Sequence, residues 1–190
     1  MNNQPYLELI ESEIIEFCKS NTLLNFEELS KYFKKDRRIF VGGVGRSSMA
    51  ARGFVNRLVH LGYSAHLIGE ISTPLARKDD VVLLISNSGN TNSLYTIGER
   101  AKKDGAKILS ITSNKDSKIF QISEDSLVLK DVDKSNQPMG SLFEQAALLV
   151  TDAFILFLMN LNLETSESMR KRHSNLEWYK SYLMLEYIVV

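Results

Sequence analysis

The sequence of 190 residues is poor in several features that would point to particular classes of protein. It contains one cysteine, Cys18, so no intrachain disulfide can form. Its 23 lysine and arginine residues balance 23 aspartate and glutamate residues, which leaves no net charge to steer the chain toward nucleic acid or an anionic membrane. Residues 1–5 lack the basic-then-apolar pattern of a signal peptide, and we therefore expect a cytoplasmic protein.

The longest apolar run, residues 146–161, is short of what a membrane span requires. Thr151, Asp152 and Asn160 interrupt it, and a helix that crosses a bilayer needs about 20 consecutive apolar residues. We predict a buried helix here that packs against another subunit, with Asp152 capping, pairing or hydrogen-bonding at the contact. The average apolar content and the length fit one domain with a sizeable core.

Several signatures of catalytic and cofactor sites are missing from the sequence. No spacing of His, Cys, Asp and Glu resembles a zinc site, and neither a lipase-type Gly-x-Ser-x-Gly elbow nor a P-loop Gly-Lys-Ser/Thr occurs. Gly43-x-Gly45 opens a dinucleotide-like fingerprint, but Ser48 stands where that motif needs glycine or alanine. The sequence therefore disfavours metal, serine hydrolase and nucleotide-binding chemistry.

Short apolar runs alternate with helix-length segments along most of the chain. The runs predict five strands, at residues 39–41, 65–68, 81–85, 108–111 and 127–129. Residues 46–61 and 91–104 are predicted crossover helices, closed by Gly62 and Gly105. This alternation is typical of a parallel sheet with right-handed crossovers and helices on both faces. Ligands of such sheets bind beyond the carboxyl ends of the strands.

Helices flank the alternating region on both sides. Residues 6–17 carry apolar side chains at helical spacing, and Asn25 and Glu28 have the spacing of a capping box for a second helix. The segments beyond the last strand are predicted as a polar loop at 131–138, a long helix at 141–161 and a short helix at 166–173. The sequence has neither an internal repeat nor a low-complexity linker, so one globular unit is the simplest account.

The most informative segment, called here the 86–91 loop, directly follows the predicted strand at 81–85. It consists of Ser86, Asn87, Ser88, Gly89, Asn90 and Thr91. A helix N-terminus attracts anions, short side chains let a phosphate approach the backbone, and hydroxyls donate hydrogen bonds to its oxygens. A polar turn in which Asn90 or Thr91 caps the next helix is the alternative, but three hydroxyls exceed what one cap requires. We predict that this loop holds a phosphorylated small molecule.

The glycine-rich turn after the first predicted strand opens toward the same edge of the sheet. Arg46 and Ser47 stand at its end, where they can reach a sugar hydroxyl or a phosphate. A tight turn with a surface arginine explains the same residues equally well. The turn alone leaves both interpretations open.

Glu144 has two competing interpretations. Ser141-x-x-Glu144 has the spacing of a capping box at the start of an apolar helix, which explains a glutamate without any catalysis. A carboxylate beside an apolar helix near a sugar-phosphate pocket is also suited to be a general base, because partial desolvation makes it more basic. His173 fits a solvated surface position, and His60 and His66 fit packing or boundary positions.

Six motifs follow one another along residues 39–177. They are Gly43-x-Gly45-Arg46-Ser47, Arg57-Leu58-x-His60-Leu61-Gly62, Gly69-Glu70-x-x-Thr73-Pro74, Ser86-x-Ser88-Gly89-x-Thr91-x-Ser93, Gln137-Pro138-Met139-Gly140-Ser141-Leu142-Phe143-Glu144 and His173-x-Asn175-Leu176-Glu177. In this order they resemble the sugar isomerase (SIS) domain family and, within it, the 6-phospho-3-hexuloisomerases. Asn87, Asn90 and Ser48 depart from the family pattern, which usually has glycine, glutamate and glycine at those positions.

The resemblance implies a three-layer α-β-α sandwich around a five-stranded parallel, flavodoxin-like sheet. With it we expect N-terminal helices at 1–36, a SIS domain at 37–177 and a C-terminal extension of unknown role at 178–190. The implied reaction interconverts 3-hexulose 6-phosphate and fructose 6-phosphate through a cis-enediol, in the ribulose monophosphate route of formaldehyde fixation. The family needs no metal or organic cofactor. The resemblance also implies two kinds of partner. One is further copies of the same chain, in a homotetramer with sites at subunit contacts, and the other is 3-hexulose-6-phosphate synthase.

The resemblance also implies roles for individual residues. Glu144 is the base that transfers the proton, and His173 assists ring opening or proton movement. Substrate and phosphate contacts come from Ser47 and the 86–91 loop, to which we add Arg46 from its place in the turn. Two alternatives remain open: another phosphosugar isomerase of the same fold, or a non-catalytic SIS module that senses a phosphosugar.

Overall fold

A computed structural model describes residues 4–176 and contains one five-stranded sheet. The strands are β1 (Arg38–Gly43), β2 (Ser64–Leu67), β3 (Val81–Ile85), β4 (Lys107–Thr112) and β5 (Asp125–Val128). They lie in the order β2-β1-β3-β4-β5, and every neighbouring pair is parallel. Each of the five predicted apolar runs overlaps one of these strands, and the order is that of flavodoxin-like sheets.

Seven helices surround the sheet in the described part of the chain. They are α1 (Gln4–Ser20), α2 (Phe26–Ser30), α3 (Ser47–His60), α4 (Asn92–Lys103), α5 (Lys118–Ile122), α6 (Ser141–Leu161) and α7 (Ser166–Arg170), with 3-10 turns at Val132–Lys134 and Pro138–Gly140. The sequence patterns did not predict α5. The predicted helix at 166–173 ends earlier, at Arg170, so His173 lies in the turn that follows.

Both faces of the sheet are covered, which explains why the central strand is apolar throughout. All five residues of β3 are buried. On one face, Phe54 of α3 and Phe154 of α6 belong to the larger core, where Phe33 and Phe154 meet edge to face with ring centroids 4.9 Å apart. On the other face, Leu94 of α4 and Ile119 of α5 belong to the smaller core. The three-layer α-β-α architecture predicted from the sequence is confirmed.

The long helix α6 combines a buried side with an exposed apolar side. Its most apolar 18-residue window has a mean hydropathy of 1.8, enough to cross a membrane by length and composition alone, but half of that window is buried within the domain. This is what a core helix of a folded domain shows. Leu148, Leu149 and Leu156 remain 43%, 40% and 61% exposed, and Met49 of α3 is 66% exposed.

The chain leaves β1 and β3 in different directions, and this creates a crevice at the carboxyl edge of the sheet. The last residues of the two strands, Gly43 and Ile85, are partners in the register. From Gly43 the chain enters α3 on one face, and from Ile85 it enters α4 on the other. Ligands of open α/β sheets bind at such a point. The 178–190 extension lies outside the described residues.

Candidate active site

The 86–91 loop is a tightly packed turn between β3 and α4. Ser86 Oγ accepts a hydrogen bond from the Gly89 amide at 3.2 Å and lies 3.0 Å from Thr91 Oγ1. Gly89 has a φ of 61°, and a Cβ atom there would lie 2.0 Å from Ser117 Oγ. Only glycine therefore fits at position 89 without displacing Ser117, the N-cap residue of α5.

The polar side chains at the end of this loop do not cap α4. Thr91 is the N-cap residue but makes no side-chain capping hydrogen bond, and its hydroxyl faces Ser86 instead. Asn90 is engaged elsewhere, because its Oδ1 accepts a hydrogen bond from the Lys118 amide at 3.1 Å. The first turn of α4 also has no acidic residue. The capping interpretation is therefore wrong for Asn90 and Thr91, and the helix N-terminus keeps the polarity that favours an anion.

Asn87 connects this loop to two neighbouring segments. Its Oδ1 accepts a hydrogen bond from Ser113 Oγ at 2.7 Å, and its backbone oxygen accepts one from Thr112 Oγ1 at 3.0 Å. A Cβ atom at Gly140 would lie 2.9 Å from Asn87 Nδ2. The end of β4 and the segment that precedes α6 therefore both meet the 86–91 loop at Asn87.

Arg46 reaches from the β1–α3 turn to the beginning of α6. Its Nε lies 2.8 Å from Glu144 Oε2, and its Nη1 donates a hydrogen bond to Ser141 Oγ at 2.9 Å. The Arg46 side chain is 57% exposed, whereas that of Glu144 is 17% exposed. Ser47 directly follows Arg46 as the first residue of α3, and it is buried. Arg46 is thus an ion-paired residue and more than a surface arginine.

The capping box predicted for Ser141 and Glu144 is not formed. Gly140, with a φ of 75°, is the N-cap residue of α6, and no side chain caps the helix. Ser141 Oγ instead donates to the Pro138 carbonyl at 2.6 Å. Arg46 and Glu144 form an ion pair, but the Nε–H of Arg46 does not point at Glu144 Oε2. This buried oxygen accepts no hydrogen bond from the described residues. Glu144 is therefore a partly buried carboxylate with one buried oxygen, and this oxygen has a free acceptor position.

His173 lies apart from these residues within one chain. Its ring stacks on that of His60, the last residue of α3, with centroids 4.8 Å apart and planes 26° apart. Both rings line a cavity of about 440 Å³ together with the exposed Asp152 and other side chains from the second half of α6. Glu144 stands in the first turn of α6, and about 12 Å of helix separates it from Asp152.

The structure therefore brings together most of the predicted site residues. Arg46 and Glu144 are in contact, the 86–91 loop adjoins them through Asn87 and Gly140, and His173 is elsewhere. Ser113 is a site-supporting residue that the sequence interpretation missed. It could have been found from its position directly after the predicted fourth strand. That strand neighbours β3, so the polar residues at its end lie close to the 86–91 loop. Within residues 4–176, no group of three or more His, Cys, Asp or Glu residues is placed to hold a metal ion.

Comparisons with known proteins agree on one family. The SIS domain model matches residues 32–156. A 3-hexulose-6-phosphate isomerase of Bacillus subtilis is 38% identical over 161 residues, which are 80% of this chain and 86% of the relative. A protein of the same name from Methanocaldococcus jannaschii is 38% identical over 143 residues, which are 75% of this chain and 78% of the relative.

A solved structure is similar over nearly the whole chain. It is the crystal structure of a Methanococcus jannaschii protein, described as inferring a molecular function of 3-hexulose-6-phosphate isomerase. It matches with a TM-score of 0.79 and 30% identity, over 91% of this chain and 99% of that one. Sequence and fold similarity thus extend well beyond the motifs around the crevice.

Proposed function

The chain belongs to the SIS domain family, and we propose that it is a sugar-phosphate isomerase that interconverts 3-hexulose 6-phosphate and fructose 6-phosphate. The names of the relatives from Bacillus subtilis and Methanocaldococcus jannaschii support this substrate pair. One observation carries the reaction type: Glu144 has a buried oxygen that accepts no hydrogen bond from the described residues, beside Arg46 and next to the 86–91 loop.

The reaction moves a carbonyl group from C3 to C2. A base removes the proton from C2, a cis-enediol forms between C2 and C3, and a proton is returned to C3 while the hydroxyl proton passes from O2 to O3. One carboxylate can make both carbon proton transfers if the substrate is held still. In our proposal Glu144 is that base. Arg46 supplies positive charge where the enediol oxygens develop negative charge.

The phosphate group is the handle by which the substrate is held. We assign it to the 86–91 loop, where Ser86, Ser88 and Thr91 supply hydroxyls and α4 supplies its N-terminal amides. Ser88 is exposed, and its Oγ accepts from the Asn90 amide at 3.2 Å, so its O–H can donate to a phosphate oxygen. Ser47 is assigned to the same substrate. Binding energy from this unreactive end of the sugar serves to position C2 and C3.

We also propose a homotetramer with sites at subunit contacts. Leu148, Leu149 and Leu156 of α6 and Met49 of α3 are apolar side chains that the described chain leaves exposed, and a subunit contact would cover them. His173 is assigned to ring opening or proton movement. Because it lies at the other end of α6 from Glu144, this role requires that His173 serve the Glu144 of a neighbouring subunit.

The proposed setting is the cytoplasm, in functional pairing with 3-hexulose-6-phosphate synthase. A synthase that forms 3-hexulose 6-phosphate supplies the substrate of the isomerisation. The free thiol of Cys18 is exposed, which fits a reducing compartment. We also propose the domain division at 1–36, 37–177 and 178–190. The middle part contains every residue that is assigned to substrate binding or catalysis.

A coupled assay tests the function directly. The synthase generates 3-hexulose 6-phosphate in place, and the formation of fructose 6-phosphate is followed as a function of added protein. Protein-dependent formation of fructose 6-phosphate is the expected result. No turnover there, with turnover of an arabinose phosphate or a heptose phosphate, would reassign the substrate. Phosphosugar binding without any turnover would favour a sensing module.

A further inference from the structure

Glu13 is a buried carboxylate outside the proposed site. It belongs to α1, is 8% exposed, and binds the connection between β5 and α6. Its oxygens accept hydrogen bonds from three consecutive residues: Ser135 Oγ at 2.6 Å, the Asn136 amide at 2.7 Å and Gln137 Nε2 at 2.9 Å. The Ser135 hydroxyl, and then the other donors, hold the pKa of Glu13 below its ordinary value despite burial.

Gln137 passes this contact on to the helix that carries Glu144. Its Nε2 donates to Gln145 Oε1 at 3.0 Å, and Gln145 Nε2 donates back to Gln137 Oε1 at 2.9 Å. Gln145 directly follows Glu144 in α6. A continuous set of hydrogen bonds therefore runs from Glu13 through two glutamine side chains to the neighbour of the proposed base.

The connection contains a strained turn just before α6. Met139 and Gly140 have consecutive positive φ values of 59° and 75°, and the Met139 side chain is 95% exposed. A left-handed conformation is unfavourable for methionine, and an exposed side chain provides no packing to offset that cost. The hydrogen bonds to Glu13 anchor the residues just before this strained turn.

We propose that Glu13 is a positioning residue for the isomerisation, acting through Gln137 and Gln145 to hold Glu144 in place. The inference rests on the proposed role of Glu144 as the base. Proton transfer requires the carboxylate to be aligned with the substrate carbons, and small displacements of a reacting group slow a reaction strongly. Glu13 shares no hydrogen bond with Glu144 and acts through the intervening residues.

The test compares Glu13→Gln with Glu16→Gln in the coupled assay. We expect Glu13→Gln to lower kcat by about 10-fold or more, because an amide cannot accept all the hydrogen bonds that the carboxylate accepts. KM should stay within about twofold, since the 86–91 loop keeps its contacts. Glu16 is an exposed glutamate of the same helix, and we expect Glu16→Gln to match the wild type.

A double-mutant cycle separates positioning from a general loss of stability. Gln137→Ala removes the next member of the set, so the double variant Glu13→Gln/Gln137→Ala should lose little more kcat than the worse single variant. A merely structural role would lower the unfolding temperature and leave the kcat of the folded enzyme unchanged. Ser135→Ala removes one donor and leaves α1 intact. It provides a milder variant, with a loss of about two- to threefold in kcat, if Glu13→Gln fails to fold.

Amide hydrogen exchange adds a readout that needs no substrate. The Asn136 N–H donates to Glu13 Oε1, and its exchange should become about 10-fold faster in Glu13→Gln. Three results would each overturn the positioning role: unchanged Asn136 exchange in Glu13→Gln, a kcat of Glu13→Gln within twofold of the wild type, or independent effects of Glu13→Gln and Gln137→Ala in the double-mutant cycle. An inactive wild type would instead overturn the proposed function, which is distinguishable from an active wild type with an unaffected Glu13→Gln.

Discussion

Arg46 Nε lies 2.8 Å from Glu144 Oε2, and this ion pair joins the turn after β1 to the first turn of α6. The guanidinium is on the solvent side, since Arg46 is 57% exposed and Glu144 is 17% exposed. In our proposal, a substrate that enters the crevice meets the cation before it meets the carboxylate. Arg46 can therefore contact a substrate oxygen while it remains close to the proposed base.

Glu144→Gln should nearly abolish isomerisation and preserve binding. The amide has almost the shape of the carboxylate but cannot accept a proton, and general acid–base catalysis contributes about 10²–10⁴-fold, so kcat should fall by that amount. KM and inhibition by inorganic phosphate should change little, because the 86–91 loop is untouched. Glu167→Gln, at an exposed position on α7, is the matched control. Near-normal turnover by Glu144→Gln would eliminate Glu144 as the base.

Arg46 should tolerate neither lysine nor glutamine. Its Nε and Nη1 contact Glu144 and Ser141 at the same time, and a lysine ammonium cannot reproduce that planar fork. We expect kcat/KM to fall about 10-fold in Arg46→Lys and about 100-fold in Arg46→Gln, where the charge is also lost. Arg100→Gln changes an exposed arginine of α4 and should leave kcat/KM unchanged. Equal activity of the lysine variant and the wild type would contradict the two-point contact.

Gly89 and Gly45 form a matched pair for testing the fit of the 86–91 loop. Their φ values are 61° and 60°, but a Cβ atom would meet Ser117 only at position 89, while position 45 is open. Gly45→Ala should cost about 1 kcal/mol of unfolding free energy from the backbone alone. Gly89→Ala should cost roughly 2–4 kcal/mol, because overpacking adds to that strain.

Urea unfolding measures the stability of both variants. Inhibition of turnover by inorganic phosphate measures how well the 86–91 loop binds phosphate. Gly89→Ala should weaken phosphate binding, whereas Gly45→Ala should leave it close to that of the wild type. Equal losses of stability in the two variants would show that the contact with Ser117 does not constrain the loop.

Glu164 should make the free energy of unfolding depend on pH in the acid range. Arg172, Ser168 and Lys35 hydrogen-bond its carboxylate and lower its pKa from 4.5 to about 2, with Arg172 the largest cause. Because the pKa is depressed in the folded state, this stabilisation is present above pH 4.5 and is lost as the pH falls from there toward about 2. With allowance for solvent around Arg172, it amounts to about 1–2 kcal/mol.

Urea unfolding of the wild type and Glu164→Gln at several pH values measures this effect. The wild type should be more stable at neutral pH, and the difference should narrow steadily below pH 4.5. Glu167→Gln, three residues along the chain on α7, should differ little from the wild type at neutral pH. A difference that stays constant down to pH 3 would argue against a depressed pKa of Glu164.

The inner strands could be predicted from sequence because burial on both faces gives β1, β3 and β4 short apolar runs. Val81–Ile85 is the clearest case, since the predicted and observed bounds coincide. The helix α5 was missed because Lys118–Ile122 is only five residues long, too short for helical periodicity to register. Its formation depends on tertiary packing, in which Ile119 is fully buried against the sheet.

The sequence indicates a set of candidate site residues, which stays a prediction, but it does not indicate the contacts between them. The spacing of Ser141 and Glu144 predicted a capping box, yet Gly140 takes the N-cap position and the Pro138 carbonyl takes the serine hydroxyl. The ion pair between Arg46 and Glu144 joins residues far apart in the sequence, so no local pattern contains it. The same is true of the hydrogen bonds that Glu13 accepts from Ser135, Asn136 and Gln137.

The hydrogen bonds of the 86–91 loop have a thermodynamic consequence. Asn87 is held by Ser113, Asn90 by the Lys118 amide and Thr91 by Ser86, all within the chain itself. A loop ordered by its own contacts loses little conformational entropy when an anion arrives. The two asparagines, where the SIS pattern usually has glycine and glutamate, thus help to order the loop before a ligand binds. In our proposal, phosphate therefore binds without a loop-ordering step.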